Sequence, residues 1–139
     1  MSIIKFISIS IIVALIILFT VLMINQVMET YASNDPVLID LQQTLEPVHP
    51  IIKNLTIYKG KKSYTINKEK IYICLGGKDG KYYDKNTLIY VTLHEIAHVL
   101  CNEIGHTEKF NNIFDELLNK ATKLKIFNPS IPIVQDYCP

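Results

Sequence analysis

The chain has 139 residues and a net charge of +1, which provides no strong electrostatic attraction for DNA, RNA or acidic lipid. Its 14 basic residues are all lysines, so the arginine forks that usually read phosphate and guanine are missing and no nucleic-acid partner is expected. The three cysteines, Cys74, Cys101 and Cys138, exclude a closed set of intrachain disulfides, and none lies in a C-x-x-C pair of the zinc-knuckle kind.

From Phe6 to Ile24 the sequence reads FISISIIVALIILFTVLMI, with no charge, glycine or proline. As a helix this stretch spans about 28 Å, close to the hydrocarbon thickness of a bilayer. It shows no polar face, and it is longer than the apolar region of a cleaved signal peptide. Residues 1–32 are therefore expected to be an N-terminal transmembrane anchor with its juxtamembrane segment, and residues 33–139 a single domain. Lys5 precedes the segment, while Glu29, Asp35 and Asp40 follow it. That bias predicts a cytoplasmic N-terminus with the domain on the opposite side. A Cys74–Cys138 bridge is open to a domain placed there, and the sequence does not decide it.

Beyond the anchor, SNDPVLIDLQQTL predicts a helix capped by Asn34 or Asp35, with Pro36 in its first turn and an apolar stripe of Val37, Leu38, Leu41 and Leu45. EPVHP breaks it, and His49 in that loop is assigned no role. Three runs rich in Ile, Tyr and Thr follow: Leu55–Tyr58, Ser63–Asn67 and Ile71–Leu75. With short polar turns between them they predict a small antiparallel meander. Thr87 to Cys101 predicts an amphipathic helix capped by Asp84 or Asn86, stopped by a left-handed turn at Gly105. Thr107 is placed to cap a last helix from Glu108 to about Lys125, with Phe110, Ile113, Phe114, Leu117, Leu118 and Ala121 as its apolar stripe. The proline-bearing FNPSIPIVQDYCP predicts an extended tail lying across the domain.

Three of the four histidines lie between Thr92 and Phe110. His94 and His98 are four apart, so on a helix they share one face and can reach one ion. Glu95 is turned about 100° away, where it cannot readily bind that ion but can reach a water beside it. This is the H-E-x-x-H arrangement of zinc peptidases, in which a glutamate takes the proton from a zinc-bound water as it attacks a carbonyl. A catalytic zinc needs a third protein ligand and an open position. The choices are His106, Glu103, Glu108, Asp115 and Glu116. His106 is favoured because it follows Gly105 at the turn, where the chain reverses towards the first helix. Asp115 is a further choice as acceptor for an imidazole N–H. Cys101, one turn past His98, is read as a buried apolar thiol rather than a ligand.

The stretch HEIAHVLCNEIGHTEKF resembles the active-site signature of the WLM and SprT-like zincins, in which H-E-x-x-H is followed by a short connector and H-x-x-x-F. On that resemblance His94, His98 and His106 match the zinc ligands, Glu95 the general base and Phe110 the aromatic that packs after the third ligand. SYTINKEKIYICL and VQDYC are also similar to small metallopeptidase-like proteins of large DNA viruses. The resemblance implies an α+β minimal zincin, with a small antiparallel sheet packed on the active-site helix and a following C-terminal helix, and one Zn2+ ion, while the apolar segment gives a host or virion membrane as the expected location. The resemblance further implies a protein or peptide substrate bound as an added strand along an edge among Ser63–Leu75. Tyr64, Tyr82, Tyr83 and Tyr137 are the candidates for an oxyanion donor, with none preferred. The expected function is a membrane-anchored zinc metallopeptidase. The alternative is a membrane or virion component that keeps zinc for structure alone.

Overall fold

The computed structural model describes residues 3–138, and the chain divides after Ala32 into two compact units. The first is a single helix, α1 (Ile3–Ser33), of 31 residues, none of them buried by protein. Its most apolar 18 residues have a mean hydropathy of 3.1, and the helix is long and apolar enough to cross a membrane. The few hydroxyls in its apolar stretch bond back to the helix itself: Ser8 to the Ile4 carbonyl, Ser10 to Phe6 and Thr20 to Ile16. A helix whose polar side chains are satisfied internally loses little by leaving water.

The second unit is α+β. Its elements are α2 (Pro36–Leu45), a 3-10 turn (Pro50–Asn54), β1 (Thr56–Lys59), β2 (Tyr64–Ile66), β3 (Lys70–Ile73), α3 (Lys85–Leu100) and α4 (Glu108–Lys123). Each α-helix of this unit starts on a cap legible in the sequence. The Asp35 carboxylate accepts from Val37 N, Asp84 from Thr87 N and the Thr107 hydroxyl from Phe110 N. His49 has a role that the sequence did not assign: its Nδ1 accepts from Ile51 N at 3.2 Å and caps the 3-10 turn.

The expected antiparallel meander is corrected to a mixed sheet of order β1-β3-β2. β2 and β3 form the predicted antiparallel hairpin, turned at Asn67 and Lys68, both with positive φ. β1, however, pairs with β3 in parallel. The reason lies in the link from β1 to β2, which passes over the end of β3 instead of folding back. Gly60 N donates to the Ile73 carbonyl on one side, and Cys74 N donates to Ser63 Oγ on the other. A Cβ on Gly60 would lie 2.8 Å from the Lys62 carbonyl, so this tight crossing requires glycine. The central place goes to β3, whose Ile71 and Ile73 are fully buried, and β2 is left as an exposed edge.

Register then sets the two faces. Tyr58, Tyr72 and Tyr64 sit side by side and stack, with ring centroids 5.1 and 4.8 Å apart. Ile57, Ile71 and Thr65 form the next row, on the opposite face. That row belongs to the face that buries Ile57 and Ile71 in the core, together with Leu38, Leu41 and Leu45 of α2, Leu88, Ile89, Leu93 and Ile96 of α3, and Phe110 of α4. Each such Leu or Ile contributes about 1.5–3 kcal/mol on burial. Thr65 is the polar member of an otherwise aliphatic row, and it sits at the sheet edge.

Candidate metal centre and its cleft

α3 carries its apolar residues around most of its circumference, leaving His94 and His98 half-buried along one line. α4 packs beside that line, and Phe110 sets its ring against all three histidines, with centroids 5.0 Å from His94, 4.3 Å from His98 and 4.8 Å from His106. Gly105, at φ +83°, makes the left-handed turn that brings His106 back over α3. The result is convergence: His106 Nε2 lies 3.1 Å from His94 Nε2 and 3.2 Å from His98 Nε2.

Hydrogen bonding alone does not account for this arrangement. An imidazole nitrogen has one in-plane proton or one in-plane lone pair, so His106 Nε2 can make one good hydrogen bond and not two. A shared cation removes the conflict. Nitrogens held tetrahedrally at about 2.0–2.1 Å from one ion stand about 3.3 Å apart, close to the separations seen here. Burial, with His98 and His106 alongside, pushes the His94 imidazole down to about 4, and burial, His106 and Lys68 lower His98. Both rings are therefore neutral at pH 7, with a lone pair free for a metal. Among the described residues, the cluster suited to a metal ion consists of these three histidines.

The rival third ligands lie elsewhere. Glu103 borders the cleft, and Glu108, Asp115 and Glu116 are exposed on α4. Cys101 is buried and unbridged, as expected of an apolar thiol.

Glu95 is 5% exposed, although it faces the same cleft of about 540 Å³ as the three histidines. Burial raises its carboxyl above the ordinary value, and a hydrogen bond from Thr65 partly offsets the rise. Thr65 Oγ1 donates to Glu95 Oε2 at 2.8 Å. Thr65 is a partner that the sequence does not single out. The only signal was its place in an alternating strand, which fixes the face but not the partner.

The predicted tail does lie across the domain. Asn86 exchanges hydrogen bonds with the backbone of Asn128, and Val134 N donates to Thr87 Oγ1. The Cys74–Cys138 disulfide, open at the sequence level, is formed. The Tyr137 hydroxyl donates to the Cys74 carbonyl and accepts from Ser63 Oγ at 2.7 Å. Burial pushes that hydroxyl up to about 12. Of the four tyrosines considered for an oxyanion, Tyr82 is engaged with Asp35 and Lys59, and Tyr83 with Cys138 N. Tyr64, stacked on Tyr72, and Tyr137, bonded to Ser63 and Cys74, line the cavities beside the histidines and Glu95.

The chain is 51% identical over 92 residues to an uncharacterised protein of Invertebrate iridescent virus 6, covering 64% of this chain and 52% of that one. It is 45% identical over 97 residues to an uncharacterised protein of Invertebrate iridescent virus 3, covering 68% and 61%. A protein of Acanthamoeba polyphaga mimivirus, also uncharacterised, is 43% identical over 90 residues, covering 60% and 46%. The chain thus spans about half the length of these viral relatives. No family model and no solved structure matches it.

Proposed function

We propose that residues 33–139 form a minimal zincin of the WLM and SprT-like kind, and that the chain is a membrane-anchored zinc metallopeptidase. The observation that carries the reading is the convergence of three Nε2 atoms beside a buried glutamate that opens on the same cleft. His94, His98 and His106 would hold the ion, a three-imidazole set well suited to zinc. When bound, zinc acts as a Lewis acid towards water and a substrate carbonyl.

The chain's own groups do the rest. The Glu95 carboxylate accepts the proton of the attacking water and returns it to the leaving amine. Its raised pKa brings it nearer the operating pH of a general base. Thr65 fixes one carboxylate oxygen and leaves the other for the water. Phe110 packs the imidazoles and excludes solvent behind them. The free edge of β2 offers main-chain groups to an extended peptide. His106 is exposed, and the cleft over the histidines is open, as a substrate site requires and a structural zinc site does not.

α1 anchors the enzyme in a host or virion membrane, with the N-terminus cytoplasmic. The Cys74–Cys138 disulfide supports a domain on the oxidising side. The test is cleavage of an unfolded protein by the zinc-loaded chain. Wild type should cleave, and Glu95→Gln should be inert with its metal retained. Equal inertness of both on a broad peptide library would leave the structural-zinc reading.

A further inference from the structure

A second cavity, of about 370 Å³, adjoins the metal cleft and shares Ser63, His94 and Glu95 with it. Its other walls are Tyr90 and Val91 from α3, and Ile133, Val134 and Tyr137 from the tail. Apolar and aromatic groups thus make up one part of the lining, and Lys62, Ser63, His94 and Glu95 the polar part. The volume is many times the roughly 30 Å³ share of one water.

The tail is fastened on both sides of this wall. Upstream, Asn86 holds Asn128. In the middle, Val134 N bonds Thr87 Oγ1 at 3.4 Å. Downstream, the disulfide to Cys74, the Cys138 N bond to Tyr83 and the Tyr137 bonds to Ser63 and Cys74 fix the end. These fastenings shape the cavity without filling it. Tyr137 has its hydroxyl turned to Ser63 and Cys74, so its ring is what it offers the cavity.

We propose that this tail-walled cavity is the specificity pocket of the peptidase: it receives a large apolar side chain, such as Leu or Phe, from the substrate residue next to the scissile bond. The pocket shares His94 and Glu95 with the reacting site, so its occupant must flank the bond that is cut. An apolar wall rewards an apolar side chain by area removed from water, whereas a charged one is held only where it reaches Lys62 or Glu95. The disulfide adds the one covalent link between the tail and the domain to these hydrogen bonds, so the preference depends on it holding the wall in place. This inference rests on the peptidase reading.

The experiment uses the full chain in detergent micelles with zinc, and a peptide library randomised on both sides of the cut. Wild type should prefer Leu or Phe over Gly or Asp at one flanking position by about 10–200-fold in kcat/KM. Val134→Asp should lower that preference at least tenfold, with bound zinc unchanged. Cys138→Ser should weaken it in the same direction. If Cys138→Ser fails to fold, Val134→Asp alone decides. A wild type that cleaves without flanking preference, or a Val134→Asp profile identical to wild type, overturns the pocket and leaves the peptidase standing. A zinc-loaded wild type that cleaves nothing overturns both.

Discussion

In α1 no residue is buried by the protein, whereas in α3 nine of sixteen are. Both helices are strongly apolar, and the difference is where the apolar surface goes. α1 is apolar all round from Phe6 to Ile24, with nothing buried in its own unit, and is long and apolar enough to cross a membrane. α3 is covered by the sheet on one side and α4 on another, and His94 and His98 stay half-buried along one line beside Glu95. A helix that is apolar along its length has the surface that a membrane span needs; a helix that is apolar except for one line of histidines can hold a metal ion. The arrangement of the polar exceptions carries the chemistry, and those in the apolar stretch of α1, Ser8, Ser10 and Thr20, bond back to their own helix.

The largest expected effect breaks α1. Replacing Leu15 and Ile16 together by lysine adds about 6 kcal/mol of insertion cost and should move the chain from the membrane fraction to the soluble one. Retention through an alkaline wash would show that α1 is not the anchor. On α3 the counterpart is Glu95→Gln, which should lower kcat by about 10²–10⁴-fold while bound metal is unchanged, as read by steady-state kinetics beside metal analysis. Leu93→Ala tests the buried side of the same helix. It should destabilise the domain by about 2–5 kcal/mol in urea unfolding, because Leu93 is fully enclosed. A loss below 1 kcal/mol would mean that the face is not packed as described.

Thr65→Val sharpens the comparison at the polar line. It should lower kcat about tenfold with little change in KM. The lost hydrogen bond held Glu95 down, so the acid limb of the pH–rate profile should move to higher pH, and Thr65→Ser should restore it. The smallest effect belongs to the cap of α3. Burial raises Asp84, but hydrogen bonds from the Thr87 side chain and backbone outweigh it and hold the carboxyl below 3.8. A depressed folded value stabilises the native state above 3.8 and loses that contribution as pH falls through it. Asp84→Ala should therefore cost about 1 kcal/mol at pH 7 and progressively less as pH falls below 3.8 through the depressed folded value.

Local rules made much of this legible. Asp35, Asp84 and Thr107 cap as their side chains require, Gly105 takes the left-handed turn, and the spacing of four puts His94 and His98 on one face. His106 was legible because the turn that returns it is only a few residues long. What the sequence did not disclose depends on distant partners. The parallel pairing of β1 with β3 follows from a crossing at Gly60 and Ser63, invisible to strand periodicity. Thr65 and Glu95 are 30 residues apart, and Ser63 and Tyr137 are 74. His49 looked like a solvated loop residue because nothing in its neighbours shows that a 3-10 turn needs its nitrogen.

Bound-metal stoichiometry of the full chain, wild type against His106→Ala and Glu95→Gln, addresses the central claim most directly. One zinc per chain in wild type and Glu95→Gln, with most of it lost in His106→Ala, is the predicted result. Zinc held equally well without the His106 imidazole, or none held by wild type, would contradict it.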